Sequence, residues 1–156
     1  MRLLPGLLVL VCFILFALTV ASFGQKQIPA ALFGGGEIAS PGDWIPEENI
    51  SVYPDQITID VANPSWAKFT DTNSMDPFLD AESNAIEILP LDPELISVGD
   101  IIAYRTAAGT LIHRVVEKNY DQEGLYYRVK GDNNTLSDPL KVRYADITGV
   151  VVAIIY

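Results

Sequence analysis

"DIIAYRT" (residues 100–106) and "TLIHRVVEK" (110–118) stand side by side in the chain, parted by a short break that ends in a glycine. Runs of this length, rich in β-branched and aromatic residues and bounded by turn formers, read as strands. The same texture extends outward in both directions. "QITIDVA" (56–62), "SWAKFTD" (65–71) and "NAIEILPL" (84–91) precede the pair, and "GLYYRVKG" (124–131) and "DITGVVVAIIY" (146–156) follow it. Several alternate apolar and polar residues, as half-buried strands do, and no window past the N-terminal stretch carries a long helical period. There is no internal repeat and no low-complexity tract. The expectation is a mostly β domain over residues 51–156, built as a partly closed barrel or as coiled sheets.

Two segments of different composition come before that domain. Residues 25–50 hold "GGG" at 34–36 and "PGD" at 41–43 and read as a linker. Residues 1–24 read as a membrane anchor. From Leu3 to Phe23 there is no charge over 21 positions, a helix of roughly 31 Å and thus about one bilayer core. Pro5 and Gly6 fall in its first turns, where they do least harm. A cleaved signal peptide is the competing reading, with Ala21 and Ser22 as small residues near a cut. The apolar part of such a peptide is usually only about 7–15 residues, which favours a retained helix. Arg2 ahead of the span and the acidic bulk behind it fit a cytoplasmic N-terminus and an extracytoplasmic domain at the cell membrane. With the chain ending at Tyr156, a single pass is expected.

The 156 residues carry twenty acidic and ten basic side chains, a net charge of −10. Only Arg2 among the basic residues precedes Gly24, so the β domain and linker are more acidic still. Such a surface repels phosphate backbones and argues against nucleic acid as a partner. One cysteine, Cys12 in the apolar stretch, and one histidine rule out an intramolecular disulfide and argue against a zinc site. No metal and no other cofactor is expected.

Chemistry is concentrated in three places. "TNSMDPFLD" (72–80) puts Ser74 directly after a strand-like run, with Pro77 preventing regular pairing beyond it. By position alone Ser74 is a turn residue; it becomes a nucleophile only with a base within hydrogen-bond reach. The sole histidine, His113, lies in "TLIHRVVEK", and Lys118 is the other basic candidate. Five positions separate them, an odd number, so on a regular strand they face opposite sides and only one points at Ser74; a bulge would change that. The third place is "KGDNNTLSDP" (130–139), a turn-rich stretch in which Asp132 and Asp138 are each able to orient and stabilise an imidazolium.

In this order the motifs resemble those of signal peptidase I in its archaeal and endoplasmic-reticulum form. "SMDP" is similar to the family's serine box and "VGDIIAYR" (98–105) to its glycine-aspartate strand. "IHRVV" (112–116) is similar to its histidine box, and "KGDNN" with Asp138 to its acid box. The resemblance covers the N-terminal anchor and residues from about 66 onward. It implies a membrane-anchored serine endopeptidase that removes signal peptides from exported preproteins. Ser74 is then the nucleophile, His113 the general base, Asp138 the acid that orients it and Asp132 a supporting acid. The Ser74 N–H and the Thr72 hydroxyl become oxyanion donors, and Met75 lines a shallow pocket for small residues before the cut. Implied partners are preproteins, the lipid bilayer and the protein-export machinery.

The chain departs from the family pattern in places. Asn73 stands where a glycine usually precedes the serine, and "FLDAES" follows Pro77 in place of a short turn ending in Gly-Asp. Two other functions compete. One is a related membrane serine peptidase acting on other membrane-tethered proteins, or on itself near Ser22. The other is a non-enzymatic β domain that binds a partner at the cell surface. The sequons at Asn49 and Asn133 permit glycosylation after export, with Asn49 the better placed because Asn133 adjoins the candidate site.

Overall fold

The computed structural model describes residues 37–156. The expected anchor, Leu3 to Phe23, lies outside the described residues. Among the described residues no helix is long and apolar enough to cross a membrane, and the only helical pieces are three-residue 3₁₀ turns.

Eight strands carry the fold. They are β1 (Ile50–Val52), β2 (Ile57–Ile59), β3 (Ser65–Lys68), β4 (Asn84–Ile88), β5 (Ile101–Thr106), β6 (Gly109–Asp121), β7 (Gly124–Lys130) and β8 (Ile147–Ile155). Each of the seven strand-like runs contains one, and β1 is the additional strand. It pairs with β2 as a separate antiparallel ribbon. The other six form one antiparallel sheet in the order β3-β4-β8-β5-β6-β7.

The six-stranded sheet does not close. β3 and β7 are its two edges, so the mostly β expectation holds and the sheet forms no closed barrel. Register shifts interrupt three of its pairings, at Ile86/Glu87 against β8, at Ala103/Tyr104 against β8, and at Val115/Glu117 against β7. Each extra residue bends its strand and increases the local twist. The outcome is that the loops following the two edge strands meet although the strands do not. The backbone N–H of Asn133, after β7, donates to the Ser74 carbonyl, after β3, at 3.0 Å.

Two apolar clusters flank the sheet. One holds Ile102, Tyr104, Val115, Tyr127, Val129 and Val150, among others; the second gathers Met75, Leu79, Ala85, Ile101 and Val151. β5 runs between them, and Ile101 to Tyr104 are all buried. Ile102 and Tyr104 belong to the first cluster and Ile101 to the second, so both faces of β5 are covered, which is why "DIIAYRT" is nearly continuous in apolar residues where alternation would mark a half-exposed strand. The segment entering the domain docks beside β5. Gly42 N–H and Trp44 Nε1 donate to Asp100 Oδ1 at 2.7 and 3.0 Å, and Ser97 N–H to Asp100 Oδ2 at 2.8 Å. Asp100 is fully buried, and these three bonds compensate its lost hydration.

Candidate active site

The turn after β3 carries Ser74. Asn73 before it has φ +52°, the left-handed region that glycine occupies freely and asparagine better than other side chains. That reversal of the backbone presents Ser74 to the sheet. The turn is held from across the molecule. Asn133 binds it twice, by its backbone to the Ser74 carbonyl and by its Nδ2 to the Asn73 carbonyl, each at 3.0 Å. A side chain at Gly131 would put its Cβ 2.5 Å from the Ser74 carbonyl oxygen. The "KGDNN" stretch therefore needs its glycine because it packs directly on the serine turn. A glycan on Asn133 would replace one of the two hydrogens on the Nδ2 that holds this turn.

His113 comes from β6, opposite Ile102 of β5, and is buried. Its Nε2 lies 3.3 Å from Ser74 Oγ and its Nδ1 2.8 Å from Asp138 Oδ2. The carboxylate can only accept, so the ring proton sits on Nδ1 and Nε2 is left as the acceptor for the serine hydroxyl. Asp138 is tethered by its own N–H to the Val129 carbonyl of β7 at 2.8 Å. Ser74, His113 and Asp138 thus form one hydrogen-bonded chain, assembled from three separate segments. A hydroxyl so placed can lose its proton as it attacks.

Asp132 goes elsewhere. Its two oxygens accept from Arg114 Nε and Nη2 at 2.8 and 2.7 Å, and the two side chains are 3% and 7% exposed, respectively. Arg114 also donates from Nη1 to the Gly99 carbonyl at 2.7 Å. Asp132 is therefore half of a buried bidentate ion pair, where the sequence also allowed it to orient the imidazolium.

The strand-parity comparison of His113 with Lys118 does not hold on this backbone. The register shift at Val115/Glu117 adds a residue. Val115 then faces Val129 and Lys118 faces Tyr127, and both partners belong to one cluster, so His113 and Lys118 share a face. Position along the strand separates them instead, by roughly 15 Å or more. Lys118 is held by Glu94, at 2.6 Å from its carbonyl and 3.0 Å from Oε2.

Tyr104 is a member of the constellation that the sequence concealed. Its hydroxyl donates to Asp138 Oδ2, the oxygen that also binds His113, and lies 3.3 Å from His113 Nδ1. Burial, and then the bond to Asp138, push the phenol well above its ordinary value, so it stays protonated as a donor. Its only signal in the sequence was a polar tip in an otherwise apolar run.

Ser74 and His113 open onto a cleft of about 220 Å³. Thr72 and Met75 line it as well. Met75 is only 2% exposed and serves mainly as a core residue. The rest of the wall includes Ala67 of β3, Glu87 of β4 and Ala103 of β5. Among the described residues no group of three His, Cys, Asp or Glu side chains is arranged to hold a metal ion. No family model matches the chain, and searches of curated proteins and of solved structures found no match either.

Proposed function

We propose that this protein is a membrane-anchored serine endopeptidase of the signal peptidase I kind, which removes signal peptides from exported preproteins. The observation that carries the reading is the chain from Ser74 Oγ through His113 to Asp138 Oδ2, at 3.3 and 2.8 Å, on the wall of a cleft. A turn serine in a non-enzymatic β domain has no need of a buried imidazole with its proton fixed on the far nitrogen. The family's glycine before the serine also has a physical counterpart here, since Asn73 adopts the left-handed backbone that position demands.

In the reaction, the Ser74 oxygen bonds to the carbonyl carbon of the scissile peptide as His113 Nε2 takes the hydroxyl proton. Asp138 holds the imidazole in place and stabilises the imidazolium, without itself taking up the proton. The carbon–nitrogen bond then breaks, and His113 delivers the proton to the departing amine. Water repeats the sequence on the acyl-enzyme and frees the serine. The Ser74 N–H and the Thr72 hydroxyl are the donors assigned to the oxyanion. Substrate backbone adds beside the free edge of β3, its side chains alternating into the cleft. The Leu3–Phe23 span confines the peptidase to the bilayer where its substrates emerge, which raises their effective concentration.

The test uses the full chain in detergent or lipid, incubated with a preprotein, and reads the new N-terminus by mass spectrometry. The wild type is expected to cut after the signal peptide and Ser74→Ala to leave the preprotein whole. Equal cutting by both proteins would remove the serine from the mechanism.

A further inference from the structure

Glu87 breaks the pattern of its own strand. In "NAIEI" (84–88) strict alternation sets Ala85 and Glu87 on one face and Ile86 and Ile88 on the other. The isoleucines would ordinarily turn inward. Instead Ala85 and Glu87 are buried, and Ile86 and Ile88 are left half-buried. Glu87 is 7% exposed, and its Oε1 has no hydrogen-bond partner among the described residues. Desolvation pushes its carboxyl above the ordinary carboxylate value of 4.5. Among the described residues no cation forms an ion pair with it. A buried polar atom without a partner is costly, and a position that violates the local rules without local compensation marks function more often than accident.

The surroundings show what the carboxyl is for. Glu87 lines the same cleft as Ser74 and His113. It sits at the register shift against β8, and bulges recur beside active sites because they re-aim a side chain. Room for it is made on β8 by Gly149, where a Cβ would lie 2.7 Å from Glu87 Oε2. The cleft wall also holds Ala67, Ala103, Met75, Lys68 and Thr148, and none of them bonds Glu87 Oε1. Glu87 thus brings to that wall a carboxyl whose Oε1 is buried and unbonded.

We infer that Glu87 forms a polar specificity subsite, which selects a small hydroxyl-bearing residue, serine or threonine, in the peptide segment ahead of the cut. The inference rests on the peptidase reading for the word "cut" and on Glu87's own burial for the chemistry. A hydroxyl both donates and accepts, so it satisfies a carboxyl in either protonation state. A lysine ammonium would have to give up its own hydration in the same dry place. An alanine fits but leaves Oε1 unpaired, and sites built around a buried polar group discriminate strongly against analogues that lack its partner.

The experiment compares preproteins carrying Ala, Ser, Thr, Val or Lys at each of the three positions before the cut. Cleavage is measured for wild type, Glu87→Gln and Glu87→Leu. Binding of the same segments as peptides is measured on Ser74→Ala and on Ser74→Ala with Glu87→Leu. At one position the wild type is expected to favour Ser or Thr over Ala by about tenfold or more. Glu87→Leu is expected to favour Ala or Val there, and the peptide binding should follow the same switch. An unchanged Ser-to-Ala ratio in Glu87→Leu, with cleavage intact, overturns the subsite and spares the peptidase reading. A Glu87-dependent preference for Lys overturns the hydroxyl class. If nothing is cut but Ser-peptide binding still depends on Glu87, the subsite stands and the peptidase reading falls. Absence of both cleavage and selective binding removes the two together.

Discussion

Asp132 and Asp138 leave one short loop six positions apart and do opposite things. Asp138 reaches a histidine beside a cleft and shares that work with Tyr104. Asp132 closes on Arg114, with both side chains almost wholly buried. The first pair is arranged for a proton to move, the second so that nothing moves. The difference comes from the partner and from where it sits. An imidazole can gain and lose its charge, whereas a guanidinium keeps its charge at any working pH. The two pairs are also mechanically linked. Arg114 follows His113 on β6, and the loop that Arg114 anchors is the one whose Asn133 grips the serine turn.

The largest expected effect lies on the mobile side of this comparison. Ser74→Ala and His113→Ala should each lower cleavage by on the order of 10⁶-fold, as in a comparable triad. Thermal unfolding should barely move for Ser74→Ala and fall modestly for His113→Ala, whose imidazole is buried. Rates and melting curves on the same preparations check this.

The next effect lies on the fixed side. Arg114→Met strands the Asp132 carboxylate in the interior and should cost about 3–5 kcal/mol in folding free energy. Adding Asp132→Leu should restore most of it, since two packed apolar groups leave no charge behind. Urea unfolding of the single and double variants gives the answer. A single variant as stable as wild type would mean that the pair is not the clamp described above.

Tyr104→Phe sharpens the comparison from within the first pair. It keeps the ring and removes one donor to Asp138. Hydrogen bonds to charged groups are worth about 1.5–3 kcal/mol, so cleavage should fall by about 10–100-fold. The fall should appear in kcat with KM unchanged, which separates a positioning role from a packing one.

A smaller effect is a pH signature of Glu87. Its folded carboxyl is raised above 4.5 by burial, so the native state holds the proton more tightly than the unfolded chain. Its contribution to stability is present below pH 4.5 and is lost as pH rises through the folded value. Glu87→Gln should remove that fall, which unfolding measured at a series of pH values above 4.5 would reveal.

Much of this was legible in the sequence, and the gaps have physical causes. All seven strand-like runs contain strands, because turn residues punctuate them clearly. The places where the sheet's register shifts were not legible, since each is a one-residue irregularity and none has a marker in composition. One of those shifts also undid the parity comparison of His113 and Lys118. Ser74 and His113 stood out because the chain has one histidine and a serine at a strand break. Tyr104 did not, because its partner Asp138 is 34 positions away and a tyrosine in "DIIAYRT" is an ordinary core residue. Glu87 was hidden by the alternation rule itself, which places it outward.

The division between the two carboxylates rests on one paired measurement. Asp138→Asn and Asp132→Asn are purified side by side, and each is assayed for preprotein cleavage and for thermal unfolding. Asp138→Asn should melt like the wild type and cut about 10⁴-fold more slowly, because an amide favours the wrong tautomer and cannot stabilise the imidazolium. Asp132→Asn should melt well below the wild type, while its folded fraction keeps most of the rate. If Asp132→Asn lost the rate and kept the fold, and Asp138→Asn did the reverse, the acid beside His113 would be misassigned and the proposed relay with it.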